Sequence, residues 1–166
     1  MKVIVVYDTR FGNTETIAKA LDAGLRKVGG IETTCMNVRE LTATTIDSLS
    51  NYDLVCIGAP TEGFTASKSM KAFLDRLKHR NYSDKYGFAF DTRVDWRLSG
   101  SAAKSIEKAI VNQGFRRIAP RDSAIVSTTK TGGAITGATL KEGEAKRFEQ
   151  IGEKLAGILA GTHLAT

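Results

Sequence analysis

The chain has 166 residues, 42% of them hydrophobic and 25% charged, and 24 Lys and Arg against 18 Asp and Glu give a formal charge of +6. Such a length fits one domain around one core, and no apolar run approaches the roughly 20 residues that cross a bilayer. Lys2 followed by four β-branched residues before Tyr7 and Asp8 does not read as a signal peptide, so a cytoplasmic protein with no membrane association is expected. The basic balance lacks the aromatic-plus-basic clusters of nucleic-acid modules and points instead to an anionic small ligand or an acidic protein partner.

Val3-Ile4-Val5-Val6-Tyr7 suits a strand buried on both faces. Asp8-Thr9-Arg10-Phe11-Gly12-Asn13-Thr14 then makes a polar turn into a helix. The free N–H groups of that turn, the positive end of the helix dipole and the Thr9 and Thr14 hydroxyls form a phosphate site that needs no basic side chain. Ile17, Leu21, Leu25 and Val28 repeat as one face of this helix, which Gly29-Gly30 ends. Residues 31–38 read as a second strand and 42–49 as a short helix with Thr44 or Thr45 near its start. Residues 52–58 form a third strand, closed by Ala59-Pro60 because proline cannot donate to a ladder.

The loop at 61–66 leads to Ser67 as an N-cap and to a helix burying Met70, Phe73, Leu74 and Leu77, which ends near Arg80. Residues 86–90 supply a fourth strand, 91–100 a polar loop, and 101–111 a helix carrying Ile106 and Ile110 that Gly114 stops. A fifth strand falls within 117–127, broken or extended by Pro120, with its apolar part at Ala124-Ile125-Val126. The Thr- and Gly-rich stretch 128–139 reads as a loose surface loop that can face a ligand. The last helix begins near Lys141, with Glu142 and Glu144 in its first turn and Phe148, Ile151, Leu155 and Ile158 on its buried side.

Strict strand–helix alternation predicts an α/β domain over 1–166, an open doubly wound sheet of five parallel strands with helices on both faces. Ligands of such sheets sit outside the carboxyl ends of the strands, at the loops 8–13, 59–66, 91–100 and 128–139. Cys35 and Cys56 fall inside strands as small buried hydrophobes rather than in metal-ligand spacing. His79 and His163 are expected in solvent, with no metal set around them.

The first loop lacks Gly-x-Gly-x-x-Gly and lacks Gly-Lys-Ser/Thr, which favours a phosphate monoester over a dinucleotide or ATP. Thr9-x-x-Gly12-Asn13-Thr14 resembles the FMN-phosphate loop of the flavodoxin family, usually Ser/Thr-x-Ser/Thr-Gly-x-Thr, with Phe11 as a departure at the third position. Tyr52-Asp53-Leu54-Val55-Cys56-Ile57-Gly58-Ala59-Pro60-Thr61 is similar to the family's third strand with its Gly-x-Pro-Thr exit. Met70-Lys71-Ala72-Phe73-Leu74-Asp75-Arg76 resembles the helix that follows, and Phe90-Asp91-Thr92-Arg93 with Leu98-Ser99-Gly100-Ser101-Ala102 resembles the second flavin loop and its helix. The resemblance runs from Lys2 to about Leu159 and implies strand order 2-1-3-4-5, non-covalent FMN and one-electron transfer between redox partners.

On that resemblance, Thr9, Gly12, Asn13 and Thr14 hold the phosphate, Phe11 gives only its backbone N–H, and Arg10 either adds charge or is a solvated loop residue. Losing one hydroxyl at position 11 weakens binding without abolishing it, since one hydrogen bond is worth roughly 0.5–1.5 kcal/mol. The flavin ring is bounded by Pro60, Thr61, Glu62, Gly63 and Phe64 in one loop and by Asp91, Thr92, Arg93, Trp96 and Gly100 in the other. Trp96, the sole Trp, and Phe64 are the candidates for stacking, and Gly63 can rotate its peptide at little steric cost as flavin N5 gains a proton. Glu62 lowers the potential, whereas Arg93 or Arg97 raises it by stabilising the anionic reduced flavin. Family members are commonly acidic; a basic one implies a partner with an acidic docking surface, and a monomer is expected. Strand order 2-1-3 also puts Cys35 and Cys56 about 10 Å apart across the first strand, too far for a disulfide.

Other readings compete. An NAD(P)H-dependent quinone or nitro-compound reductase of the same fold would use 128–139 to shape a substrate pocket, but the chain is short for one. A signalling receiver domain needs a carboxylate at the end of strand three, where Gly58-Ala59-Pro60 stands, and a cysteine phosphatase needs a Cys in the first loop. A flavodoxin-like fold that has lost its flavin is the remaining alternative, motivated by Phe11 and the basic charge.

Overall fold

In a computed structural model, which describes residues 1–95 and 99–163, residues 3–6 have no solvent exposure and form β1 (Lys2–Tyr7), the interior strand its β-branched run dictates. The chain continues through α1 (Asn13–Arg26), β2 (Glu32–Asn37), the short α2 (Ala43–Asp47) and β3 (Leu54–Glu62). It then forms β4 (Thr65–Ala66), α3 (Lys68–Arg76), β5 (Tyr86–Val94), α4 (Ala102–Asn112), β6 (Arg116–Arg117), β7 (Asp122–Thr131), β8 (Ala134–Leu140) and α5 (Glu144–His163). The sheet order is β2-β1-β3-β5-β7-β8, whose first five strands are parallel and reproduce the expected 2-1-3-4-5 order. β8 adds an antiparallel edge, and the two-residue β4 and β6 pair with β3 and β5.

Apolar residues divide between the two faces of the sheet by strand alternation. Ile4, Val6, Val55, Ile57 and Ala89 meet Met70, Phe73, Ile106 and Ile110 from α3 and α4. Val3, Val5, Cys56, Phe88 and Phe90 meet Ile17, Leu21, Phe148 and Leu155 from α1 and α5. Each large side chain so buried contributes about 1.5–3 kcal/mol. The backbones of α1 and α5 approach closely because Gly24 and Gly152 face each other; a Cβ on Gly152 would stand 2.2 Å from the Leu21 carbonyl oxygen.

Several sequence expectations shift. β3 runs on through Ala59-Pro60 to Glu62, because β1 stops pairing at Gly58 and leaves β3 an edge strand on that side, where a residue without N–H is tolerated. β5 likewise reaches Val94, so Asp91, Thr92 and Arg93 lie on a strand rather than in a loop. The stretch 128–139 is no loose loop but most of the β7–β8 hairpin, turning at Gly132-Gly133 with φ of 58° and 82°. Pro120 does interrupt the fifth strand, leaving β6 and β7 as separate pieces. Thr42 caps α2, its hydroxyl accepting from Thr45 N at 3.1 Å, with Thr44 in the first turn. Ile158 is 45% exposed, and Leu155, Ala156 and Leu159 take the inward positions on α5.

Ser67 caps α3 as expected, accepting from Met70 N at 3.3 Å. Val5 of β1 pairs with Cys35 on one side and Cys56 on the other, so β1 separates two free thiols. Among the described residues no helix is long and apolar enough to cross a membrane.

Candidate functional site

The carboxyl ends of β1, β3, β5 and β7 surround a cavity of about 340 Å³. Its first wall is Thr9, Arg10, Phe11, Asn13 and Thr14 from the β1–α1 turn, and its second is Pro60, Thr61, Glu62, Gly63 and Phe64 from the end of β3. Thr92, Arg93, Val94 and Ser99 follow from β5 and beyond it, and Val126, Thr128, Lys130, Ile135 and Ala138 come from the hairpin. The charged side chains of the lining are Arg10, Glu62, Arg93 and Lys130, a cationic excess in a largely apolar space.

The β1–α1 turn is built to leave donors free. Gly12, at φ 83°, is the N-cap of α1 and brings no side chain to its first-turn N–H groups. Thr9 Oγ1 accepts from Gly12 N at 3.0 Å and closes the turn, so its role is first to shape the loop. The buried Thr14 hydroxyl meets Thr92 Oγ1 at 2.8 Å, and Asn13 Nδ2 donates to the Ala138 carbonyl at 2.8 Å, tying the turn to β5 and to the hairpin. The Arg10 guanidinium lies 4.9 Å from the Phe11 ring centroid, so Phe11 holds the loop cation at the cavity rim.

The N-terminus of α4 contrasts with this open one. Its first three N–H groups are all taken: Ala102 N donates to Thr61 Oγ1 (2.9 Å), Ala103 N to Asp91 Oδ2 (2.9 Å) and Lys104 N to Ser101 Oγ (3.1 Å). Asp91 Oδ2 accepts as well from Thr61 Oγ1 (3.1 Å) and Ser101 Oγ (2.8 Å), while its buried Oδ1 has no partner among the described residues. Asp91 is therefore fully buried behind the cavity wall and does not line it. Of these two helix ends, that of α1 is the one left free for an anion among the described residues.

At the other end, Gly63 (φ 51°) and Phe64 (φ 70°) make a tight turn that leaves Phe64 66% exposed. Phe64 forms a backbone bridge to Gly100, which joins the segments following β3 and β5. Gly100 sits at φ 72°, and a Cβ there would lie 2.4 Å from Phe64 Cα, so only glycine fits. Arg93 Nη1 donates to the Gly100 carbonyl at 3.2 Å, whereas its buried Nε has no partner among the described residues. Trp96 and Arg97 lie outside the described residues.

Beneath the turn, burial pushes the Tyr7 hydroxyl up to about 12, and the nearby Glu15 carboxylate adds to the shift. Asp8, also buried, accepts from Ser67 Oγ at 2.6 Å and from Arg39 Nε at 3.1 Å, fixing the end of β1 to the start of α3. Gly12 and Gly100 contribute backbone rather than lining. The cavity thus combines an open helix N-terminus, a largely apolar space and the Arg93 side chain in its wall, a set that fits a phosphate ester carrying an apolar ring.

Thr128, Lys130, Ile135 and Ala138 fall in the stretch 128–139 expected to face a ligand and Ser99 in the second flavin loop, whereas Val94 and Val126 line the cavity without any sequence signal of that role. A signal for the hairpin itself was present: Val126-x-Thr128-x-Lys130 alternates into Gly132-Gly133, a two-residue hairpin turn.

Comparison with known proteins agrees with the fold. A flavodoxin from Aquifex aeolicus is 29% identical over 160 residues, covering 93% of this chain and 85% of that protein. One from Clostridium saccharobutylicum is 33% identical over 92 residues, 55% of this chain and 56% of that protein. The structure of oxidised flavodoxin 1 from Bacillus cereus superposes with a TM-score of 0.77 at 16% identity, covering 95% of this chain and 98% of that one, a likeness of fold. The flavodoxin family model matches residues 5–151, and the chain belongs to the flavodoxin family, whose members bind FMN and transfer electrons.

Proposed function

We propose that the cavity at the strand ends is the FMN site of an electron carrier, with the phosphate at the β1–α1 turn and the ring between Gly63-Phe64 and the segment after β5. The observation that carries this reading is the pair of helix N-termini: that of α4 is closed by Thr61, Asp91 and Ser101, and that of α1 is open behind Gly12. Bound FMN supplies one-electron chemistry. Asn13, Thr14 and the backbone of the turn bind, Arg10 adds charge, and Thr92 positions Thr14 from β5. Pro60, Val94 and Val126 exclude water from the apolar middle of the cavity, and Phe64 stands at its mouth. Arg93 and Lys130 outweigh Glu62 around the ring and favour its reduced, anionic form.

The same cationic rim and the net charge of +6 suit a redox partner with an acidic docking surface. The reading includes a monomer in the cytoplasm, where two thiols held apart by β1 remain reduced.

Titrating FMN with the purified chain is the direct test. Fluorescence is expected to quench with a Kd below about 1 μM, the range of a built cofactor site, and riboflavin, which lacks the phosphate, is expected to bind at least about 100-fold more weakly. Unquenched FMN at micromolar protein would overturn the assignment. The flavin-loaded protein is expected to oxidise NADPH no faster than free FMN; rapid oxidation would place it among reductases of this fold instead.

A further inference from the structure

The β7–β8 hairpin walls the cavity, and its register is irregular at one place. Pairing is regular from Val126↔Leu140 to Thr129↔Gly137, but Lys130 then pairs with Ile135, so β8 holds one extra residue, Thr136. Side chains alternate along a strand, so an unbroken register would turn Thr136 to the side that Ala138 occupies and Ile135 to the other. The bulge reverses this: Ile135 and Ala138 both line the cavity, and Thr136 does not. The Thr136 hydroxyl is accommodated within the hairpin, 3.1 Å from Thr131 Oγ1 and 3.5 Å from the Thr129 carbonyl. One inserted residue thus exchanges a hydroxyl for an aliphatic side chain at the cavity, opposite Lys130.

Ile135 is 40% exposed, an apolar side chain at the cavity mouth that folding alone does not require. Asn13 anchors the hairpin to the phosphate turn through the Ala138 carbonyl, and Ile135 lies three residues farther along β8, about 10 Å at 3.3 Å per residue. The tip therefore stands away from the phosphate end of the cavity.

We propose that the β7–β8 hairpin is a third covering element of the flavin, in which the bulge at Thr136 places Ile135 against the bound cofactor and Lys130 supplies a cation that favours its reduced form. This rests on the assignment of the cavity to FMN. Attraction by an ammonium group strengthens as the flavin gains negative charge, so Lys130 separates the affinities for the two redox states. Ile135 acts on both by excluding water.

The experiment compares the 166-residue chain with Lys130→Gln, Ile135→Ser and a deletion of Thr136, measuring FMN affinity by fluorescence quenching and the potential of bound FMN by dye-equilibrated reduction. Lys130→Gln is expected to weaken binding of reduced FMN about tenfold more than that of oxidised FMN, a negative shift of about 59 mV in a one-electron potential. Ile135→Ser and the deletion are expected to weaken oxidised FMN at least about fivefold, with far-UV dichroism and melting temperature unchanged for the Ile135 and Lys130 variants. Wild-type affinity and potential in Lys130→Gln and Ile135→Ser would overturn the proposal while leaving the FMN assignment intact. A wild-type protein that fails to bind FMN would overturn both.

Discussion

Phe64 and Gly100 meet through their backbones, and the side chain missing at Gly100 is what allows the contact. Gly100→Ala adds a Cβ against backbone atoms at a positive φ, which has no flexible neighbour to absorb it. It is expected to cost about 1–3 kcal/mol and to weaken FMN binding at least about tenfold, seen by thermal melting and fluorescence titration; unchanged affinity would separate the bridge from the site. Tyr7 and Cys35 give a pH signature. Burial is the main cause that raises both groups to about 12. The unfolded chain releases these protons from about pH 8.5 for Cys and about pH 10 for Tyr, so it binds fewer protons than the folded chain above those values. Stability accordingly falls as pH rises towards 12, by at most about 1.4 kcal/mol per pH unit for each group. Urea midpoints measured from about pH 9 upward are expected to fall, and Tyr7→Phe is expected to flatten the decline above about pH 10. Phe11 replaces a hydroxyl of the usual motif, and its ring carries the Arg10 guanidinium instead, a pairing that no one-dimensional pattern displays.

Among the elements, α1 and α4 both start at the cavity's end of the sheet and are finished differently. Asp91 takes a helix N–H and two hydroxyls on a single oxygen, so it organises the start of α4 and the Thr61 side chain together. Asp91→Ala is expected to destabilise the fold by about 1–3 kcal/mol, and Asp91→Asn, which keeps an accepting oxygen, by less; chemical denaturation reads both. Equal stability of Asp91→Ala and wild type would contradict the capping role. Helix faces were legible because Ile17, Leu21 and Leu25 or Met70, Phe73 and Leu74 carry a 3.6-residue period that burial enforces. The ends of β3 and β5 were not, because Pro60, Thr61, Glu62, Asp91, Thr92 and Arg93 are polar or turn-forming residues that extend the strands by pairing with each other, with β4 and with β7. The hairpin was hidden for a similar reason: its Thr- and Gly-rich strands gain order from the β7–β8 ladder rather than from a core.

At the scale of the molecule, 24 basic residues stand against 18 acidic ones, and the cavity rim carries the same sign. On the proposal of an acidic redox partner, association is expected to slow with ionic strength, since the Debye length shrinks from about 30 Å at 0.01 M to about 8 Å at 0.15 M. Stopped-flow electron-transfer rates that do not change over that range would argue against electrostatic docking. The amino-acid sequence by itself determined the strand–helix alternation, the parallel sheet that alternation requires and the polar turn at 8–14, because hydrophobic period and local turn chemistry act over a few neighbouring residues; the strand order was implied by the resemblance to flavodoxins. Tertiary structure alone decided which helix end stays open, that Asp91 caps rather than lines, and that the hairpin closes the cavity with Ile135 and Lys130. Those outcomes depend on partners up to 125 residues apart, as in the Asn13–Ala138 hydrogen bond, and on one bulge that reverses which side chains face inward.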